Sequence, residues 1–141
     1  MVFVDPPYSD VQYSRFYHVL ESVAVGTVGR VTGVGRYPPI SERPQSAYSR
    51  KEESRGAITE LLKAIGANGA RVVLTFPAGA ASNGLSGEEV RDIASRHFKV
   101  RDQLIPGQFS TLGGNGTGGN GKGRPARKQS AVLVLVLRPK S

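Results

Sequence analysis

The sequence predicts an α/β fold, and three observations carry that expectation. Short apolar runs with strand preference alternate with amphipathic segments of helical period. The last two strand-like runs have no helix between them, which predicts an antiparallel hairpin. The first strand-like run stops on consecutive prolines, so its carboxyl end is held in a stiff turn. The expected spatial order is first, second, fourth, third strand, with the fourth antiparallel to its neighbours.

The elements follow in chain order. Val2, Phe3 and Val4 read as a fully buried strand, because no polar residue interrupts them. Pro6 and Pro7 lack backbone N–H groups and end the ladder, leaving Asp5 at the strand's carboxyl end with Tyr8 just beyond. In open α/β sheets that edge is where ligands bind. Residues 9–23 read as a helix. Its stripe of Tyr13, Phe16, Tyr17 and Leu20 is expected to pack into the core, with Tyr13 the candidate to reach Tyr8. His18 lies off the stripe, and no Ser, Cys or second His is placed to form a catalytic set with it, so it reads as structural or as a surface hydrogen-bonder. Residues 26–48 read as a long loop, broken by Pro38, Pro39 and Pro44. Gly33-Val34-Gly35 between Arg30 and Arg36 lacks the Lys-Ser/Thr of a nucleotide-binding loop.

Ser49 and Glu52 have capping-box spacing, which predicts a helix over 49–65 with Ile58, Leu61, Leu62 and Ile65 on its apolar face. Arg71 to Phe76 reads as a second buried strand. Ser86 and Glu89 repeat the capping box and open a helix over 87–98, with His97 in its last turn, where a cation suits the helix dipole. Lys99 to Ile105 alternates as a half-exposed strand, and Ala131 to Leu137 (AVLVLVL) reads as the most buried strand of all. Between them, residues 113–130 are Gly-rich and basic, the composition of a flexible hairpin tip.

The 141 residues suffice for a single domain with its own core. The absence of cysteine excludes a disulfide framework and a thiolate metal site, and no metal is expected. No apolar run is long enough to span a membrane and the start is not a secretory signal, so a cytoplasmic protein is expected. The net charge is +8 and sits mostly in residues 99–141, where eight cationic side chains meet one acid, Asp102. Such a tail suits phosphate contacts, whose neutralisation releases counterions.

The chemistry that Asp5-Pro6-Pro7-Tyr8 suits is methylation of an amino group conjugated to a ring. The lone pair of such a group is delocalised. Two acceptors, the Asp5 carboxylate and the Pro6 carbonyl, can draw its N–H bonds out of plane. Tyr8 can stack on an extruded base, and Pro7 keeps the turn rigid. The string resembles the Asp/Asn-Pro-Pro-Tyr/Phe motif of amino-group methyltransferases that use S-adenosylmethionine. The longer runs VFVDPPYSDVQYSRFYHVLE and GRYPPISERPQSAYSRKE resemble the Dam-like, adenine-specific DNA methyltransferases.

The resemblance implies a partial Rossmann-like methyltransferase sheet, corresponding to strands four to seven of the family fold and ending in the antiparallel hairpin. It implies Asp5, Pro6, Pro7 and Tyr8 as catalytic residues, with Asp5 also meeting the methyl donor. It implies DNA contacts from Tyr8, Tyr13 and Arg36, with Tyr37 and Arg43 nearby. Lys122, Arg124, Arg127 and Lys128 are the expected phosphate contacts of the basic tip. The family's Phe-x-Gly-x-Gly loop and target-recognition segment have no counterpart in the sequence. The chain therefore looks like the catalytic-motif half of such an enzyme, with a separate chain as the candidate carrier of the other half. The competing expectations are a remnant without activity that binds nucleic acid, and an RNA or protein amino-group methyltransferase.

Overall fold

The computed structural model describes residues 1–34, 36–110 and 127–140. Strand β1 (Val2–Val4) is followed by helix α1 (Ser14–Val25), helix α2 (Ser54–Ala67), strand β2 (Val72–Pro77), helix α3 (Gly87–His97), and strands β3 (Phe98–Ser110) and β4 (Arg127–Pro139). The sheet order is β1-β2-β4-β3. β1 and β2 run parallel, and β4 is antiparallel to both β2 and β3. This is the order expected from strand-helix alternation closed by a helix-free pair.

The core lies on one side of the sheet. Val72, Leu74 and Phe76 stand opposite Leu137, Leu135 and Leu133 in the register. All six are buried together with Ile58 and Leu62 of α2 and Val90, Ile93 and Ala94 of α3. Burying each large side chain of this kind contributes roughly 1.5–3 kcal/mol, so the packing of these two helices on this face of the sheet is a main source of the fold's stability.

The other side of the sheet is not covered by any described helix, which corrects the expectation of strands buried on both faces. In β1 only Val4 is buried, and Phe3 is 68% exposed. β2 alternates buried and half-buried residues, and Val136 of β4 is exposed beside the fully buried Leu135 and Leu137. An uninterrupted apolar run specifies a strand but not the number of layers packed on it.

Among the described side chains, helix α1 supplies no core residue. Tyr17 and Leu20, expected inside, are exposed, and Val19 and Val23 with them; Tyr13, the candidate to reach Tyr8, is exposed as well, and the Phe16 side chain lies outside the described ones. The helix also starts later than residue 9. Ser9 Oγ accepts from the Val11 N–H, and the Asp10 N–H donates to Ser82 Oγ. Such side-chain bonds compete with the first helical turn.

The expected cap of α2 is likewise displaced. Ser49 closes a 3-10 turn (Ala47–Ser49), is buried and finds no partner for its hydroxyl, and the helix begins at Ser54. A tertiary tether on Tyr48, described below, outweighs the local box. The α3 box is intact: Ser86 Oγ accepts from the Glu89 N–H at 3.2 Å, and the Glu89 carboxylate from the Ser86 N–H at 2.8 Å.

The hairpin strands are longer than expected. Pro106 sits inside β3 opposite Ala131, tolerated because β3 is an edge strand. β4 begins at Arg127, so residues 127–130 are strand and not tip. No helix among the described residues is long and apolar enough to cross a membrane.

Candidate active site

The carboxyl end of β1 is built by the parallel pair. Val4 stands opposite Leu74, so Asp5 comes level with Thr75 on the uncovered side. Thr75 Oγ1 donates to Asp5 Oδ1 at 2.7 Å. That contact orients an exposed carboxylate and leaves its other oxygen as an acceptor. Pro6 is buried, and Pro7 and Tyr8 are half-buried. The Tyr8 ring meets Phe76 of the core edge-on, with centroids 6.4 Å apart and planes at 80°. The aromatic is thus anchored through the core as well as through the backbone.

Asn83 fixes the turn from beneath, and it is only 1% exposed. Its Nδ2 donates to the Pro7 carbonyl at 3.0 Å and to the Tyr48 carbonyl at 2.9 Å. Its Oδ1 accepts from the Leu85 N–H, and its backbone N–H donates to the Tyr8 carbonyl at 3.4 Å. Its own carbonyl accepts from Ser54 Oγ at 2.9 Å. One buried amide therefore ties the Pro-Pro-Tyr turn, the segment before α2 and the segment before α3 to each other. Gln12 adds a second tie, exchanging two hydrogen bonds with the Ser46 backbone. No hydrogen bond among the described residues takes the Pro6 carbonyl. The Asp5 carboxylate and that carbonyl are the two acceptors at this strand end.

Tyr13 joins this group. It stacks obliquely with Tyr17 at 6.0 Å, and partial burial raises its phenol pKa, with Tyr8, Asp5 and Tyr17 adding to the shift. Asp5, Tyr8 and Tyr13 thus gather at one strand end. Arg36 is elsewhere: it is exposed in a tight turn closed by the Thr32–Tyr37 bridge, at φ 48°. Tyr37 is engaged in packing, with the Arg15 and Arg43 guanidiniums 5.1 and 5.5 Å from its ring centroid and His18 edge-on at 5.1 Å. Arg43 also donates to the Pro38 carbonyl, and His18 Nδ1 bonds the Arg15 carbonyl. His18 is thus engaged in a ring contact and a backbone hydrogen bond. A cavity of about 660 Å³ lies between α1 and this loop, walled by Val19, Val25, Val28 and Val31 and touched by Arg30 and Arg36, but it includes none of Asp5 to Tyr8.

Lys122 and Arg124 lie outside the described residues. The backbones of Arg127 and Lys128 pair with Ser110 and Phe109 in the hairpin. Sequence reasoning missed Thr75 and Asn83. Thr75 had a signal, being the polar residue within VVLTFP. Asn83 had only an Asn-Gly dipeptide, which marks a turn and not its target.

No family model, curated protein or solved structure matches the chain.

Proposed function

We propose that the chain is the catalytic-motif half of a DNA adenine methyltransferase that transfers a methyl group from S-adenosylmethionine to the exocyclic amino group. The observation that carries this reading is the Asp5 carboxylate, held by Thr75 at the carboxyl end of a parallel strand pair beside Tyr8 and Tyr13. The Asp5 carboxylate and the Pro6 carbonyl accept the two amino hydrogens and aim the lone pair. Tyr8 stacks on the extruded base, and Tyr13 borders it. Asn83 and Phe76 keep the turn from relaxing, which favours catalysis by positioning.

S-adenosylmethionine supplies the methyl group. Of the described residues we assign Asp5 to it, as an exposed acceptor suited to an ammonium or hydroxyl donor. We assign the rest of its site, and target recognition, to a separate chain. The expected phosphate contacts are Lys122, Arg124, Arg127 and Lys128, with Arg36 a further DNA contact.

The test is transfer of labelled methyl to adenine-containing duplex DNA, by the chain alone and together with the product of the neighbouring reading frame. Asp5→Ala should lower the rate on the order of 100- to 1000-fold, and Asp5→Asn less. Binding of labelled S-adenosylmethionine by neither preparation, or near-normal transfer by the Asp5→Ala protein, overturns the reading.

A further inference from the structure

We propose that the uncovered face of the sheet is the docking surface for an amphipathic helix of another polypeptide, with acidic residues at the helix end that overlies Lys99, Arg101 and Arg138. The inference stands on the sheet alone and holds whether or not the chain takes part in methyl transfer.

The register defines the surface. One row crosses all four strands as Phe3, Val73, Val136 and Arg101. The next row toward the Asp5 end holds Thr75, Val134 and Gln103, and the row beyond it Pro77, Val132 and Ile105. Phe3, Val136 and Ile105 are exposed, whereas α2 and α3 cover the opposite face. A parallel pair is ordinarily covered on both faces, and a contiguous apolar patch of this kind marks an interaction site. The layer that covers a sheet face in α/β proteins is helical.

Charge selects the occupant. At the end of the face away from Asp5, Lys99 stands directly opposite Arg138, and Arg101 follows two residues along β3. Like charges opposed across a ladder are destabilising. These three cations and Val136 line a depression of about 350 Å³. The nearby acid of β3, Asp102, projects to the covered side and pairs with Arg91 of α3 at 3.3 Å. Neither Arg101 nor Arg138 has an ion pair among the described residues. Acidic side chains meet this need, and the negative end of a helix dipole adds to it if they lie in the last turn. A second copy of this chain would set cations against cations, at a net charge of +8 each. Nucleic acid would neutralise the cations but leave Phe3 and Val136 in water.

The experiment titrates the full chain with two labelled synthetic helical peptides that share one leucine stripe. One carries Glu flanking the stripe in its last turn, the other Lys at the same positions. Fluorescence anisotropy should show the Glu peptide binding about tenfold tighter or better. Val136→Asp, at a position already in contact with water, should abolish binding while the circular dichroism spectrum is kept. Arg101→Glu with Arg138→Glu should reverse the preference between the peptides. Equal binding of the two peptides, or binding unaffected by Val136→Asp, overturns the proposal. So does self-association by sedimentation that Val136→Asp removes, or displacement of the Glu peptide by duplex DNA.

Discussion

Leu135 and Val136 are neighbours in one strand, similar in chemistry, and placed in different worlds. Leu135 is 0% exposed beneath α2 and α3, and Val136 is 38% exposed on the other face. Phe3 and Val4 repeat the contrast at the sheet edge. The covered face holds the fold together, and its large apolar residues are buried against one another. The uncovered face and its rim carry Asp5, Thr75 and the cation cluster. Stability and candidate chemistry are thus divided between the two sides of a single layer. Strands that look alike in sequence serve both because alternate side chains point to opposite faces.

The largest test of this division is a pair of truncations. Leu135→Ala should cost about 2–5 kcal/mol by opening a cavity in the core. Val136→Ala should change stability by less than about 0.5 kcal/mol, as is usual for exposed positions. Urea unfolding midpoints of the two proteins measure the difference, and similar losses would mean that the second face is as tightly packed as the first.

Next is Asn83, which links the covered interior to the turn on the rim. Asn83→Ala should cost about 1–3 kcal/mol, because the Pro7 and Tyr48 carbonyls and the Leu85 N–H lose a buried partner. Asn83→Asp should be worse than Ala, since a carboxylate cannot donate to two carbonyls. Hydrogen exchange at the Leu85 amide should accelerate in both variants. A stable Asp variant would show that the turn does not depend on this amide.

Smaller effects separate the two serines with capping-box spacing. Ser86→Ala should cost about 1 kcal/mol through loss of the α3 cap. Ser49→Ala should be neutral or slightly stabilising, because it removes a buried hydroxyl that has no partner. Thermal unfolding of the two variants distinguishes them, and equal destabilisation would restore Ser49 as a cap.

The smallest effect lies on the rim. Tyr13 holds its proton more tightly folded than unfolded. Its contribution to stability is therefore fully present below the unfolded phenol pKa and is lost as pH rises through the folded one. Asp5→Asn should lower the Tyr13 pKa but leave it above the ordinary value, since burial is the larger cause. The phenolate absorbance lost on Tyr13→Phe, followed across an alkaline titration with and without Asp5→Asn, isolates this one of the five tyrosines. An unmoved midpoint would separate Asp5 from Tyr13 and loosen the grouping proposed for the site.

Much of this protein is determined locally. The α3 cap follows from Ser86 and Glu89 three residues apart, the break after Val4 from two prolines without N–H groups, and the strand order from where helices intervene. These are properties of short segments, set by hydrogen-bond geometry and periodicity, and they survive in almost any environment. Asp5 and Tyr8 were legible for the same reason, because a strand end followed by Pro-Pro leaves few places for its flanking side chains. The tertiary structure alone decided which apolar residues are inside. Tyr17 and Leu20 lie on a proper helical stripe, yet both are exposed; Val2 and Phe3 lie in a strand with one face bare. It also overrode the Ser49 box by tethering Tyr48 to Asn83, and it brought Thr75 to Asp5 across seventy residues of chain. Burial and long-range hydrogen bonds depend on what the rest of the chain places opposite a residue, and no local pattern encodes that.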